Sequence, residues 1–342
     1  MVIIQVLKCK NCGAPLEPTP EDIILVCPYC GFPNAYDELF EKGNVYFVDS
    51  VPKKEILRLF WERMRKDKDF VGLRGKIQVV KMEGAYIPLW FAKVRAWGYV
   101  KYEIYEKKDG KKRTVIKLNE FEDNYLVCIS GRKSVYDIAV EELTKKLQKG
   151  YIILQDIRET LNPKVKLQPL KNLSVEVWEN LKLEFLNVEL SREEAERVVL
   201  DKSSDMAKSF HVPEEGKLLA FNFGGEVEDM ILIFYPLWKV YYDIEGGTYF
   251  VAYDGHRKRE ILALEPNRIW RKISSLIAAV CGVAIVGLFS AFFGNPYFWR
   301  FVAEAKKGAA LILAFVISAL YFGFELARLS GRKMSWDVRV EK

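Results

Sequence analysis

The chain has 342 residues, of which 50% are hydrophobic and 29% are charged, and its formal net charge is +6. This length allows two or three domains with a sizeable core, and the mild charge does not by itself indicate a nucleic-acid partner. The apolar segment 1–7 is too short for a signal peptide, so we expect none here. Lys and Glu are prominent and there are only 2 His, a balance common in heat-adapted proteins.

Residues 1–40 hold the strongest local motif, two Cys-x-x-Cys pairs separated by fourteen residues. The four cysteines are Cys9, Cys12, Cys27 and Cys30. This spacing predicts a zinc ribbon in which Gly13 and Gly31 turn each knuckle with a positive φ, and segments 3–7 and 23–26 form short strands. Four thiolates leave no position for a catalytic water, so we expect one structural Zn²⁺. Two disulfides are less favoured on a cytoplasmic face.

The region 45–266 presents one order of features twice. The matching segments are 51–56 with 190–195, 86–90 with 234–238, Gly98 with Gly246, and the turn 109–110 with the turn 254–255. We therefore predict two repeated units, 45–130 and 186–266, each a helix followed by an antiparallel β-meander and joined by a connecting segment, 131–185. Chance similarity between β-rich sequences is the alternative.

Local signals predict the elements within each unit. Pro52 suits a first helical turn, and Ser191 with Glu194 has the spacing of a capping box. Pro88 and Pro236 lack an N–H, which predicts the first residue of a strand or a sheet edge. In the connecting segment we predict a helix over 134–149 and a strand over 151–154.

Period-two alternation predicts the core face of the first long strand. Its members are Trp90, Ala92, Val94, Ala96, Val100, Tyr102 and Ile104. The opposite face alternates charged residues with Trp97 and Tyr99. We expect that face to be half-solvated.

The region 270–330 predicts a transmembrane helical hairpin. Residues 273–293 are 21 without a charge and residues 308–324 are 17 more. As helices they measure about 31 Å and about 26 Å, against a hydrocarbon core of roughly 30 Å. Gly294-Asn295-Pro296 breaks the helix between them. Lys and Arg cluster before the first span and after the second, which places both termini, including a tail over 331–342, in the cytoplasm beside the cell membrane.

Small residues predict how the two spans meet. Ala278 and Gly282 lie on one stripe of the first span, and Ala310, Ala314 and Ser318 on one stripe of the second. Such stripes allow close helix packing within the hairpin, with homo-oligomerisation as the competing use.

Basic residues just before the first span predict a contact with lipid headgroups. They are Arg257, Lys258, Arg259, Arg268, Arg271 and Lys272. Clusters of this kind are attracted to anionic headgroups, so we expect the turn 255–259 to touch the membrane. The alternative is that these charges keep a hairpin tip soluble and protect an exposed edge.

No motif predicts an enzyme. His211 and His256 have no nucleophile placed by motif beside them, and Cys128 and Cys281 lie in apolar segments typical of packing residues. A membrane-tethered adaptor that docks a protein partner is the favoured function. Membrane-tethered nucleic-acid binding is the alternative; the ribbon carries Lys8 and Lys10 against five acidic residues, without the basic stripe that phosphates require.

The motifs together resemble a set of prokaryotic zinc-ribbon membrane proteins of unknown function that have two C-terminal spans, with an archaeal origin favoured. The shared features are the Cys-Pro-x-Cys-Gly second knuckle, the Val-Pro-Lys-Lys-Glu helix start and Tyr-x-Pro-Leu-Trp. The resemblance implies an architecture and no activity. The expected fold class is α+β, with a zinc ribbon, two helix-plus-meander units and a transmembrane hairpin.

Overall fold

The computed structural model describes residues 7–17, 24–34, 44–67, 70, 73–108, 111–133, 137–148, 156–161, 164–181, 183–244, 246–266, 269–304, 317–318, 321–325 and 338–341. Helices accompany a nine-stranded sheet, and the N-terminal cysteines cluster. The predicted mixture of helix and sheet behind an N-terminal cysteine cluster is confirmed.

Two minimal hairpins carry the cysteines. Strand β1 (Leu7–Lys8) pairs with β2 (Pro15–Leu16), and β3 (Leu25–Val26) pairs with β4 (Pro33–Asn34), both antiparallel. The predicted strands are therefore shorter than expected within the described residues.

The large sheet is built around two long antiparallel strands. These are β6 (Gln78–Lys108, 31 residues) and β10 (Lys217–Ile244, 28 residues), which pair with each other. The other members are β5 (Val45–Val48), β7 (Lys111–Ser130), β8 (Leu167–Pro169), β9 (Glu184–Phe185), β11 (Gly247–Asp254), β12 (Glu260–Pro266) and β13 (Val338–Glu341). The predicted core face of β6 is buried from Trp90 to Tyr102, and Ile104 is half-buried.

Helices cover both faces of the sheet. They are α1 (Lys53–Lys66), α2 (Ile138–Gln148), α3 (Ile157–Leu161), α4 (Val175–Leu181), α5 (Arg192–His211), α6 (Ile269–Gly294) and α7 (Pro296–Glu304), with 3₁₀ turns at Arg74–Lys76 and Leu170–Asn172. Helices α1 and α5 contribute to the hydrophobic core on one face, and α2 and α3 to the core on the other. The predicted capping box of Ser191 and Glu194 starts α5. Helix α2 lies within the predicted 134–149, whereas 151–154 is outside the described residues.

The pairing of β6 with β10 is centred on a matched position of the two predicted units. Ile87 pairs with Tyr235, its own counterpart in the proposed repeat. The flanking pairs are Tyr86 with Pro236 and Pro88 with Phe234. Matched positions of the two predicted units therefore face each other across one point, and the duplication itself stays a prediction.

A short strand and a helix at the start of each predicted unit pack on the hairpin of the other unit; for the second unit the strand is β9, which lies at the end of the predicted connecting segment 131–185. Strand β5 pairs in parallel with β10, while β9 pairs in parallel with β6. Val51 N–H donates to Gly255 O at 2.7 Å just before α1, and Leu190 N–H donates to Gly131 O at 3.0 Å just before α5. The two units are thus interlocked, with their first elements exchanged.

The prolines lie inside the long strands, so the prediction of a strand start or a sheet edge is wrong. Pro88 O accepts from Gly131 N–H at 2.8 Å, and Pro236 O accepts from Gly255 N–H at 2.9 Å. Gly131 and Gly255 directly follow β7 and β11, where those strands end. The missing N–H of each Pro would point past the end of the neighbouring strand, so no hydrogen bond of the sheet is lost there.

The predicted match of turns also differs from the structure. Gly246 lies in the turn between β10 and β11, but Gly98 lies inside β6, and the segment 109–110 falls between β6 and β7 outside the described residues. The segment 254–255 ends β11 and corresponds by hydrogen bonding to 130–131. The hairpin of the first unit is therefore the longer one, because β6 and β7 continue past the equivalent turn.

Counting the described residues alone, no helix is long and apolar enough to cross a membrane. The predicted hairpin therefore stays a prediction. Helix α6 overlaps the first predicted span, and the described parts of the second span, 317–318 and 321–325, are helical.

A close approach joins the two predicted spans. A Cβ on Gly323 would lie 2.9 Å from Gly282 O. Gly282 therefore takes part in the packing as its stripe predicted. Its partner is Gly323; Ser318 is exposed, and Ala310 and Ala314 are outside the described residues.

The segment predicted as a free tail contributes an edge strand. Strand β13 pairs antiparallel with β12, and Val338 lies opposite Pro266. This pairing brings the chain back to the place where it left the sheet for α6.

Candidate metal centre

The four predicted cysteines converge on one point. Their Sγ atoms all lie within 4.8 Å of one another. The Sγ–Sγ distances are 3.6 Å for Cys9 with Cys30 and 3.6 Å for Cys12 with Cys27. Tetrahedral coordination with metal–sulfur bonds of about 2.3 Å requires sulfurs about 3.8 Å apart. The cluster can therefore hold one metal ion with little rearrangement.

The two knuckles have the same backbone hydrogen bonds. Cys9 N–H donates to Ala14 O at 2.8 Å and Gly13 N–H donates to Cys9 O at 2.9 Å; the second knuckle repeats both bonds around Cys27. Gly13 and Gly31 have φ of 72° and 77°, which confirms the predicted left-handed turns.

Asn34, which the motif did not predict, joins the two knuckles. Its fully buried carboxamide accepts from Lys10 N–H at 2.8 Å in the first knuckle and donates to Phe32 O at 2.9 Å in the second. Its Nδ2 also lies 3.6 Å from Cys9 Sγ. Hydrogen bonds of this kind orient ligands and tune a metal site. An Asn four residues after a knuckle cysteine is the sequence signal for this role.

The thiols differ in acidity because their surroundings differ. Burial acts to raise the pKa of the Cys9 thiol, but the backbone amides of Cys12 and Asn11 and the Asn34 amide outweigh it and bring the pKa to about 6. Burial, together with the neighbouring cysteines, raises the pKa of Cys30 to about 12. One thiolate thus forms readily while another resists ionisation. A bound cation would remove this conflict, because metal ligation requires the thiolate form.

The ribbon packs on α4 through aromatic residues. Phe32 and Trp178 make an edge-to-face contact with centroids 5.5 Å apart. Beside this contact a cleft of about 650 Å³ runs between the second knuckle and α4, and Glu179 and Glu184 line it. Acidic side chains therefore line this cleft beside the second knuckle, whereas the first knuckle carries the exposed Lys8 and Lys10.

Of the six basic residues predicted to touch lipid, the three at the β11–β12 turn are separated along the chain from the two in α6. Arg257, Lys258 and Arg259 lie at the β11–β12 turn, where Arg257 Nε donates to Lys164 O at 3.2 Å and Lys258 pairs with Glu55 at 3.3 Å. Arg268 lies outside the described residues, and Arg271 and Lys272 belong to α6. The seven residues of β12, about 23 Å of strand, separate the turn from α6.

The two histidines have structural partners. His211 Nε2 lies 2.5 Å from Asp123 Oδ2, and its ring stacks on Phe121 with centroids 4.7 Å apart, which fastens the end of α5 to β7. His256 Nδ1 lies 3.0 Å from Asp49 O.

The two remaining cysteines lie far apart in the chain, in a strand and in a helix. Cys128 is fully buried in β7, and burial raises the pKa of its thiol to about 12. Cys281 is exposed on α6.

An exposed apolar surface lies on a part of the sheet that none of the described helices covers. It consists of Trp97 and Tyr105 of β6 with Ile116 and Leu118 of β7, which are 44–63% exposed, and of Tyr99, which is 40% exposed. We call this set the arm face. Its members share one side of the sheet, because Lys101 pairs with Leu118 and residues two apart in a strand point the same way. A Cβ on Gly224 would lie 2.5 Å from Trp97 Nε1, so glycine makes room for the indole.

The sequence indicated only a half-solvated face here and did not identify a surface patch. Comparison with known proteins adds nothing to this assignment, since no family model, curated protein or solved structure matches the chain.

Proposed function

We propose that this chain is a membrane-anchored cytoplasmic adaptor. In this proposal one structural zinc stabilises the ribbon, a helical hairpin holds the body at the cell membrane, and the arm face docks a protein partner. The observation that carries the docking role is the arm face itself, because contiguous exposed apolar side chains mark interaction sites on soluble surfaces.

Zinc is the metal that best suits the cysteine cluster. Four thiolates in two knuckles are the donor set of structural zinc sites, and iron is the competitor for the same set. We expect about one zinc per chain by elemental analysis of the purified protein, and loss of the metal in Cys12→Ser. Recovery of iron instead, or of well under one metal ion per chain, would overturn the assignment.

No described helix by itself meets the length and apolarity of a span, but the uncharged sequence within α6 and the return of the chain to the sheet support membrane anchoring. Residues 273–293 carry no charge, and α6, at 26 residues, is about 39 Å long. Its side chains of Leu276, Ile277, Val280 and Val283 are 49–65% exposed. Because Pro266 and Val338 are paired neighbours, the segment 267–337 leaves and re-enters the sheet at one place, as a hairpin with both ends on one side of a membrane does.

Charge on the described surface favours a protein partner over nucleic acid. Glu179 and Glu184 line the cleft beside the second knuckle, whereas Glu122 on the arm face pairs with Arg95. Carboxylates repel phosphates, so the cleft suits a basic partner, and the arm face suits one that presents apolar side chains. Nucleic-acid binding is therefore the second candidate.

Site-specific photo-crosslinking in native membranes tests the docking role. With a benzophenone amino acid at Leu118, we expect a crosslinked band that resists nuclease and disappears when Trp97→Ser is added. Tyr29, which is 74% exposed on the second knuckle, is the matched control position. Crosslinking from Tyr29 but not from Leu118 would move the docking site to the ribbon, and a nuclease-sensitive adduct would favour the second candidate.

Extraction tests the anchor separately. We expect the full chain to remain in the membrane pellet at alkaline pH, because two spans are not removed with peripheral proteins. Release of the chain into the supernatant would overturn the anchor without affecting the docking result.

A further inference from the structure

Four basic side chains lie together near the end of the sheet from which α6 leaves. They are Arg65 and Lys66 in the last turn of α1, and Arg74 and Lys76 in the 3₁₀ turn before β6; all four are exposed. We call this set the basic rim.

Strand pairing places the basic rim at that end. Gln78, the first strand residue after the rim, pairs with Asp243 near the end of β10. Strand β11 begins directly after that end, and its antiparallel neighbour β12 therefore finishes there, at Pro266. Helix α6 starts at Ile269, three residues later. The basic rim and the start of the proposed anchor thus share one end of the sheet.

Contacts of α1 with β12 fix the position of the basic rim. Arg63, one turn from the end of α1, pairs with Glu260 and with the buried Glu265. Arg74 Nε donates to Met64 O at 3.3 Å, which ties the 3₁₀ turn to the end of the helix. The four basic residues of the rim therefore lie on elements that pack against the body.

We propose that the basic rim binds the anionic phospholipid headgroups of the membrane and so sets the angle at which the sheet stands on the bilayer. This inference rests on the proposed anchor. Charge complementarity supports it, because four exposed cations face the end of the sheet nearest to α6. The acidic groups in the same region are Asp67, Asp243 and Glu83, with Glu62 and Glu260 in the cleft that Lys66 lines. Glu83 pairs with Lys81, Asp243 accepts from Thr248, and Glu62 and Glu260 pair with Arg58 and Arg63.

The same placement argues against a lipid contact at the β11–β12 turn. That turn lies at the opposite end of β12, where Arg257 donates to Lys164 O and Lys258, which lines one cleft with Lys66, pairs with Glu55. A sheet standing on its α6 end would hold this turn farther from the headgroups than the basic rim. We therefore assign the contact to the basic rim.

Hydrogen exchange of the full chain in nanodiscs tests the proposal. The probe is a neutral phosphatidylcholine disc compared with one that contains a third phosphatidylglycerol. Because one basic residue near an anionic surface strengthens binding roughly fivefold, we expect amides of residues 73–81 to exchange at least about fivefold more slowly in anionic discs. The variant Arg65→Gln/Lys66→Gln/Lys76→Gln should abolish the difference; Arg74 is retained because it caps α1.

A matched variant separates this effect from total charge. Lys107→Gln/Lys108→Gln/Lys112→Gln removes the same charge at the far tip of the β6–β7 hairpin and should leave the difference intact. Equal exchange rates of residues 73–81 in the two discs would overturn the proposal. So would an equal loss of the difference between the discs in both variants. So would protection by an added oligonucleotide in neutral discs without any effect of anionic lipid.

The same data report the anchor independently. Amides of α6 protected in both discs show insertion, whatever the basic rim does. Protection of residues 73–81 in anionic discs without protection of α6 would sustain the basic rim and overturn the anchor.

Discussion

Asn34 links the two cysteine knuckles through one buried carboxamide, so its effect should appear in metal affinity. We expect Asn34→Ala to weaken metal binding about 10–100-fold, the range found for groups that hydrogen-bond to metal ligands. Competition with a chelator, followed by metal release, measures the change. Asn11→Ala is the control, since it changes a neighbouring Asn of the first knuckle and leaves the carboxamide network in place. An Asn34 variant with unchanged affinity would contradict this role.

Two tryptophans at matched positions of the predicted units differ in one hydrogen bond. Trp238 Nε1 donates to Ser50 Oγ at 3.0 Å, whereas Trp90 Nε1 is buried without a partner among the described residues. We expect Trp238→Phe to lower the free energy of unfolding by about 1 kcal/mol more than Trp90→Phe. Denaturant unfolding of both variants in one detergent gives the difference. The reverse order would show that the indole of Trp90 has a partner.

At the scale of elements, the long hairpin depends on one glycine. Gly98 has φ of 154°, and a Cβ there would lie 2.1 Å from Asn222 O in β10. Gly98→Ala should therefore destabilise the fold by more than about 2 kcal/mol, since it adds backbone strain to a steric clash. Gly75→Ala is the control, because no atom lies within 4 Å of its Cβ position. Thermal unfolding of both variants is the measurement, and equal midpoints would count against the account.

The elements that the sequence predicted are those fixed by neighbouring residues. The knuckle glycines, the capping box of α5 and the buried face of β6 each depend on spacing within one segment. Pro88 was misplaced because its tolerance depends on where β7 ends, some forty residues further along the chain. Strand β13 and the exchange of β5 and β9 were missed for the same reason: no local pattern identifies a distant partner.

At the scale of the whole molecule, the exchange of first elements predicts that neither unit folds alone. In isolation each hairpin would lack the strand and helix that the other unit supplies. We expect two fragments, cut between Gln148 and Asp156, to be insoluble or unfolded when expressed separately and to copurify when expressed together. Circular dichroism and copurification measure the two outcomes. A well-folded first fragment on its own would show that the exchanged contacts are dispensable.

Strand β13 also sets an order of events during synthesis. About 70 residues separate it from β12, so at 5–20 residues per second the ribosome needs roughly 4–14 s to supply it. Hairpins form within microseconds, which leaves the outer side of β12 unpaired for a period long enough for many encounters with other chains. A nascent chain that has formed its sheet up to Pro266 can therefore pair wrongly along β12 until residues 267–341 have been synthesised. Chaperones that act at this stage would meet a nearly complete body with one open edge.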